Sequence, residues 1–541
     1  MIRRPSTRSL CIKLVGVVSI LALLGACTSN GSPGGAGDNG VDAAQGEPQR
    51  GGTLAIALNS DPLTLDWTSS TADDTKVVAW NIFEQLFSLD KDYSVQPMLA
   101  NGYTVSKDGL TYTIDLRQDV KFHDGSLMKA EDVVASVNRW GKISTTGIDV
   151  FRHVKDITAK DDHTVVVNLK SPFAPLIADL ADIKGAAIII PASIATAAGT
   201  TPLTEKQLVG TGPYEFGAHS PGHLISLERF ADYSPRAEED LGGLAGAKHA
   251  YLDQLDFHIV TDAQVRIDGL QTDQYDFAFN VPTDLYEQVK AIPDVHANVV
   301  TPRFWLTFVF NKAAAPFNDV RLRQAVMYGT NLDEMAKAAI GTEELYEIDG
   351  SIFYPEQKRL HTLDGSDEYN VFDLSKAKAL LADAAYDGAP IRLLTSKSYS
   401  EFYNASVAFA AQLKAIGFNV DIQVVDWATL VERRADPKEY EIFSTGGSPS
   451  FDPTAMVWLA PSWPGWYESP KMQSLRDEWA KTLDEPTKME LLAEMNKTVY
   501  EEVPLIKGAN YAAVYANRTE LSGYPNWMDA TFWNVWINGG A

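Results

Sequence analysis

The chain has 541 residues, with 71 acidic side chains against 46 basic ones and a formal net charge of −25. So acidic a balance excludes nucleic acid and anionic lipid as partners held by bulk electrostatics. The only two cysteines, Cys11 and Cys27, leave everything after position 27 without a disulfide, a thiolate metal site or a cysteine nucleophile, and the length allows two or three domains with sizeable cores.

In chain order, Arg3, Arg4, Arg8 and Lys13 come before an apolar run, 14–24, that stops at Leu24-Gly25-Ala26-Cys27. A basic start, a short apolar segment and small residues ahead of a cysteine read as an export signal. The run is too short for a hydrocarbon core of roughly 30 Å, which takes about 20 residues, so residues 1–26 are expected to be removed rather than to span a membrane. Their loss leaves 42 basic against 71 acidic residues, a net −29. Residues 27–50, rich in Gly, Ser, Pro, Asp, Asn and Ala, have no apolar periodicity and read as a flexible tether reaching roughly 25 Å. Nothing after Leu24 is apolar for long enough to cross a membrane.

From residue 51 onward the pattern is α/β. Residues 52–58 predict a short strand, and 77–87 carry Val78, Ile82, Phe83, Leu86 and Phe87 at helical spacing. Tyr112, Ile114 and Leu116 alternate with Thr111, Thr113 and Asp115, the period-two signature of a half-buried strand, and Val165, Val167 and Leu169 repeat it. Residues 319–340 and 375–386 predict amphipathic helices, the second capped by Asp373. A further helix over 402–416 closes at Gly417, and Val420, Ile422 and Val424 then alternate as a strand.

Several motifs admit a chemical reading and a bland one. Asp108-Gly109 and Asp124-Gly125 read as turns. His123 is a metal ligand or general base only if partners stand at ligand spacing, and the sequence offers none. Gly210-Thr211-Gly212 opens like a dinucleotide fingerprint but runs into Pro213, with Glu215 in place of the third glycine. Arg321 and Arg323 suit the solvated basic face of a helix. The sequence has no nucleophile elbow, phosphate loop or His-Glu-x-x-His, so the reading is of a non-enzyme that needs no cofactor and no metal.

Six segments in order resemble the extracytoplasmic solute-binding proteins of peptide-type ATP-binding-cassette (ABC) importers, family 5 or cluster C. They are Gly51-Gly52-Thr53-Leu54 with Pro62-Leu63-Thr64-Leu65-Asp66; Phe83-Glu84-Gln85-Leu86-Phe87; Gln96-Pro97-Met98-Leu99-Ala100; the long run from Asp108 to Val133; Gly210-Thr211-Gly212-Pro213-Tyr214; and Phe310-Asn311 with Phe317 to Ala325. The resemblance implies a two-lobed, periplasmic-binding-protein-like fold (type II, Venus-flytrap) with an additional inserted domain. One lobe is expected over 51–90, 210–305 and 509–541, the insertion over 91–209 and the other lobe over 306–508. It further implies a monomer that captures oligopeptide- or dipeptide-like solutes outside the cytoplasmic membrane and delivers them to a permease and its ATPase. Residues 24–27 resemble the bacterial lipobox, which implies lipidation of Cys27 and anchorage at the outer face of the membrane or in the periplasm.

The segment 443–470 bears on the ligand. In peptide-binding relatives the resemblance implies an aspartate just before an Asp-Pro or Glu-Pro pair, neutralising the peptide's ammonium. Here Asp452-Pro453 is kept, while Ser448, Pro449 and Ser450 stand where that upstream acid would fall. Either Asp452 or another acid substitutes, or the ligand is not a free-amine peptide. Trp458, Trp463 and Trp466 follow in a Pro- and Gly-rich loop that can expose rings to a pocket, and Trp305 and Trp427 are pocket candidates by resemblance. The indoles leave a sugar, glycoside or opine-like ligand open as the alternative, with a secreted hydrolase behind it.

Overall fold

A computed structural model describes residues 47–539; the export segment, Cys27 and the tether up to residue 46 lie outside the described residues. Ten strands hydrogen-bond edge to edge in the order Val420–Val425, Ile391–Ser396, Ile442–Gly447, Val295–Phe310, Leu505–Arg518, Phe277–Val281, Thr53–Leu58, Gln254–Ile259, Leu224–Arg229 and Tyr214–Ser220. Tyr346–Glu347 adds an eleventh on Leu505–Arg518. Two of these strands give the molecule its two lobes. Val295–Phe310 has 16 residues, a run of roughly 50 Å at about 3.3 Å per residue, and it pairs antiparallel with the 14-residue Leu505–Arg518. Their register shifts between Val300 and Phe304 and again between Trp305 and Thr307. Such irregularities bend and twist a ladder, so the sheet turns there from one lobe into the other.

On one side of the break the strands bury Leu54, Ile56, Phe257 and Phe277 against Trp80 and Trp533. On the other, Phe308, Phe310 and Leu393 pack on Phe317 and Phe409, with the Phe308 and Phe409 rings stacked 4.0 Å apart. A separate four-stranded antiparallel sheet, in the order Ala100–Val105, Thr111–Leu116, Thr164–Leu169 and Val154–Asp161, hangs from the first lobe with its own core. The period-two reading holds in that sheet: Tyr112 faces Val167 and Ile114 faces Val165, all four buried beside Trp140.

Helices follow their sequence signals with three differences. The single helix expected over 319–340 is two, Val320–Tyr328 and Leu332–Ile340, because Asn331 leaves the helical conformation and its side chain caps Glu334 N at 3.1 Å. The helix expected over 77–87 is Asp73–Ile82; Phe83 is already extended, and Phe87 opens the strand Phe87–Leu89. The third ends early, at Asp383, although Asp373 caps it through Ser375 N and Lys376 N as its sequence predicts.

The bland reading fits the glycine motif and Arg321, but the solvated face expected of Arg323 is overturned, because its side chain is buried where carbonyls at the end of a neighbouring helix need a donor. Gly210 and Gly212 lie against the end of the helix Asp73–Ile82, where a Cβ on Gly212 would come 2.4 Å from Asn81 O. Gly212→Ala should therefore cost about 1–3 kcal/mol by overpacking, read as a lower urea midpoint with an unchanged slope. Arg323 is buried and donates to the carbonyls of Phe317, Glu502 and Val503, while Arg321 pairs with Asp319 at the surface.

His123 is structural too. Its Nδ1 accepts from Gly210 N at 3.2 Å and its Nε2 lies 3.0 Å from Gly212 O, so the ring is neutral with its proton on Nε2. Burial pulls its pKa down to about 4. A group that ionises less readily when folded supports the fold above its unfolded pKa and loses that support as the pH falls. Relative to His123→Asn, the wild type should lose on the order of 2–3 kcal/mol between pH 7 and pH 4, measured by urea unfolding at each pH.

Candidate functional site

The break in the long strands opens onto a cavity of about 380 Å³ between the lobes. One wall comes from adjacent strands whose register sets Trp305 opposite Gly447 and Thr307 opposite Thr445. The indole of Trp305 lies over residue 447, where a Cβ would come 1.9 Å from its Nε1; only glycine fits beneath the ring. Beyond Gly447 the chain runs through Ser448, Ser450 and Phe451 to Asp452, all at the cavity. Trp458 meets Trp305 edge to face at 5.6 Å, and Trp463 completes this aromatic side.

The facing wall belongs to the first lobe and its insertion: Thr68, Ser69 and Thr71, the end of the helix Ala130–Ile143, and the charged residues Asp179, Asp182 and Lys184. Distant side chains pin this charged segment. Gln85 Nε2 donates to the carbonyls of Leu180 and Asp182, Trp67 Nε1 to Ile183 O, Trp140 Nε1 to Gly185 O and Thr68 Oγ1 to Ala186 O. The lobes also touch around the cavity. Ala174 N donates to Ala480 O at 2.7 Å, Lys358 pairs with Asp92, and Tyr93 stacks on Phe451 at 6.3 Å.

The three cavity acids differ in what they hold. Asp452, 4% exposed, already holds three donors, with Thr454 N and Oγ1 on Oδ1 and Trp479 Nε1 on Oδ2 at 2.8 Å. Asp182 accepts from Lys184 N and Thr146 Oγ1. Asp179, 7% exposed, has no hydrogen-bond or ion-pair partner for its carboxylate among the described residues. Burial, reinforced by the charges of Asp452, Asp182 and Asp149, pushes its pKa well above the carboxylate range. Lys184 is likewise unpaired; burial draws its ammonium down against the pull of Asp182.

A second space of about 340 Å³ adjoins the first and shares Thr71, Lys184 and Ser448 with it. Arg303 and Lys76 line it, but their charges are spent. Arg303 bridges Asp73 and, at 3.2 Å, Asp529, while Lys76 reaches Asp73 at 2.6 Å. Burial opposes ionisation of Asp73, yet Lys76 and Arg303 outweigh it and hold the carboxyl well below its usual range. Lys184 is thus the cation at the cavity without a counter-ion among the described residues.

Of the sequence candidates, Trp305, Ser448, Ser450, Asp452, Trp458 and Trp463 come together at the cavity. Trp427 and Trp466 do not line it. Trp427 opens the helix Trp427–Arg433 and packs on Tyr399 and Phe402, whereas Trp466 is turned by a positive φ onto Tyr440. Asp179 and Lys184 were missed. Their one signal is that two acids and a lysine interrupt the otherwise apolar stretch 173–190. Among the described residues no group of three or more His, Cys, Asp or Glu is placed to hold a metal ion, and no helix is long and apolar enough to cross a membrane.

Two lobes joined by a pair of continuous strands, with a lined cavity at the joint, define a solute-binding protein. Residues 94–467 match the bacterial extracellular solute-binding proteins, family 5, middle region, and the chain belongs to that family. It is 30% identical over 506 residues to a probable peptide ABC transporter periplasmic-binding protein of Sinorhizobium fredii, covering 89% of this chain and 93% of that one. A glutathione-binding protein of Pectobacterium atrosepticum is 28% identical over 503 residues, 88% of this chain and 92% of the other. The Helicobacter pylori periplasmic binding protein DppA, solved with the peptide STSA, superposes with a TM-score of 0.73 at 23% identity, over 91% of this chain and 99% of that one.

Proposed function

We propose that this chain is the substrate-binding lipoprotein of an ABC importer, capturing short peptides or peptide-like solutes outside the cytoplasmic membrane and delivering them to the permease and its ATPase. The observation that carries this reading is a cavity lined by an unpaired acid, an unpaired lysine and three indoles, set where two long strands cross between lobes. A ligand touching both walls stabilises the closed arrangement over the open one and shifts the population toward closure, the form a permease recognises. The division into 51–90, 210–305 and 509–541, an insertion over 91–209, and 306–508 suits this motion, with the register breaks near 300–307 as the hinge. Removal of residues 1–26 and acylation of Cys27 would hold a monomeric receptor at the membrane by a tether, which suits a body with no spanning helix among its described residues.

Small-angle scattering tests the mechanism. The ligand-stripped protein should contract as dipeptides and tripeptides are added; a tightly bound peptide that leaves the radius of gyration unchanged contradicts it. The three indoles also suit stacking on a sugar face, and a protein that contracts with sugars but not with peptides would establish that ligand class instead.

A further inference from the structure

The acid expected ahead of Asp452-Pro453 is absent, and Asp452 is already engaged by Thr454 N, Thr454 Oγ1 and Trp479 Nε1. Asp179 is in the opposite condition: more than nine-tenths buried, facing the cavity, and without a partner. An unpaired buried carboxylate is a standing cost to the fold, and a site that binds a cation accounts for it. Across the same wall Lys184 faces the cavity equally unpaired, and the two are not within ion-pair distance of each other.

Building on the peptide reading, we propose that Asp179 and Lys184 read the two charged ends of a zwitterionic ligand, Asp179 holding its ammonium and Lys184 its carboxylate. The amine anchor has then moved from the 448–452 loop of one lobe to the inserted segment on the other. The ligand's backbone and side chains lie between these charges, against Trp305, Trp458 and Trp463. A cavity of about 380 Å³ with an adjoining space of about 340 Å³ lies within the range of roughly 300–1,000 Å³ for small-molecule sites, which suits short peptides of two or three residues. The segment is fixed in advance by Gln85, Trp67, Trp140 and Thr68, so little ordering is left to oppose binding.

Calorimetry on the ligand-stripped protein with a library of dipeptides and tripeptides, the same library N-acetylated, and the same library as C-terminal amides tests this. The wild type should bind the unmodified library at least about 100-fold more tightly than either blocked form. Asp179→Asn should lose about 100-fold toward free-amine peptides while its affinity for N-acetylated ones stays within about threefold. Lys184→Met should mirror this on the carboxyl side, losing affinity for the acids and not for the amides. Because acetylation acts on the wild type, that arm stands even if a variant misfolds. A wild type that binds acetylated and free peptides alike, or a folded Asp179→Asn that keeps full affinity, overturns the anchor. A wild type that ignores all three libraries overturns the peptide reading beneath it.

Discussion

Arg303→Met should destabilise the protein by about 3 kcal/mol, because its guanidinium, 8% exposed, stands between two carboxylates at the bend of the long strands. Asp529 is fully buried and Asp73 partly so, and breaking a buried pair by removing one partner costs about 3–5 kcal/mol, since the other charge stays behind. Lys76, at 2.6 Å from Asp73 and 3.7 Å from Asp529, and the Tyr515 hydroxyl donating to Asp529 at 2.6 Å both remain, which sets the expectation at the lower end. The pH dependence has a definite sign. Asp73 ionises more readily folded than unfolded, so its pairing stabilises the protein above the unfolded carboxylate pKa and fades as the pH falls through the folded one. The variant has lost much of that contribution, so the gap from wild type should narrow below about pH 4. Asp73→Asn added to Arg303→Met should recover part of the loss. Urea unfolding of the three proteins at pH 7 and pH 2 checks each expectation; a single variant as stable as the wild type at pH 7 would show that the cluster does not brace the bend of the long strands.

Asp179→Asn has the opposite sign on stability. The wild-type carboxyl, raised by burial and by Asp452, Asp182 and Asp149, supports the fold only while protonated. Its contribution is therefore greatest below the usual carboxylate pKa and is lost as the pH rises through the folded value. Asparagine keeps the shape without the charge, so the variant should be more stable than the wild type by roughly 1–3 kcal/mol at pH 8 and nearly equal to it at pH 4. An ammonium in the cavity reverses the balance by favouring the ionised form. Ligand binding by the wild type should release a proton and weaken as the pH falls below the folded pKa of Asp179. The trade is of a familiar kind, stability given up at a site that binds. A variant less stable than the wild type at pH 8 would mean that Asp179 has a structural partner.

Local physics was legible and long-range packing was not. Tyr112, Ile114 and Leu116 show their strand because one buried face imposes a period of two, and Asp373 shows its helix start because the cap is a contact between neighbours in sequence. The break at Asn331 went unread because the apolar period of Val320–Tyr328 continues almost in phase into Leu332–Ile340. The aromatic loop was visible as a density of indoles, but ring direction was not, so Trp463 and Trp466 looked alike although only the former lines the cavity. Asp179 is one of 71 acids. Its significance arises when Trp67 and Gln85, about a hundred residues upstream, hold the segment around it under the other lobe.

Native mass spectrometry of the protein from residue 51 onward as purified, followed by denaturation and fragmentation of whatever small molecule it releases, bears most directly on the central claim. The account predicts peptides of two or three residues, in stoichiometric amount and with free amino and carboxyl termini. A stoichiometric ligand that is not a peptide, or an empty protein that takes up sugars and ignores peptides, would contradict it.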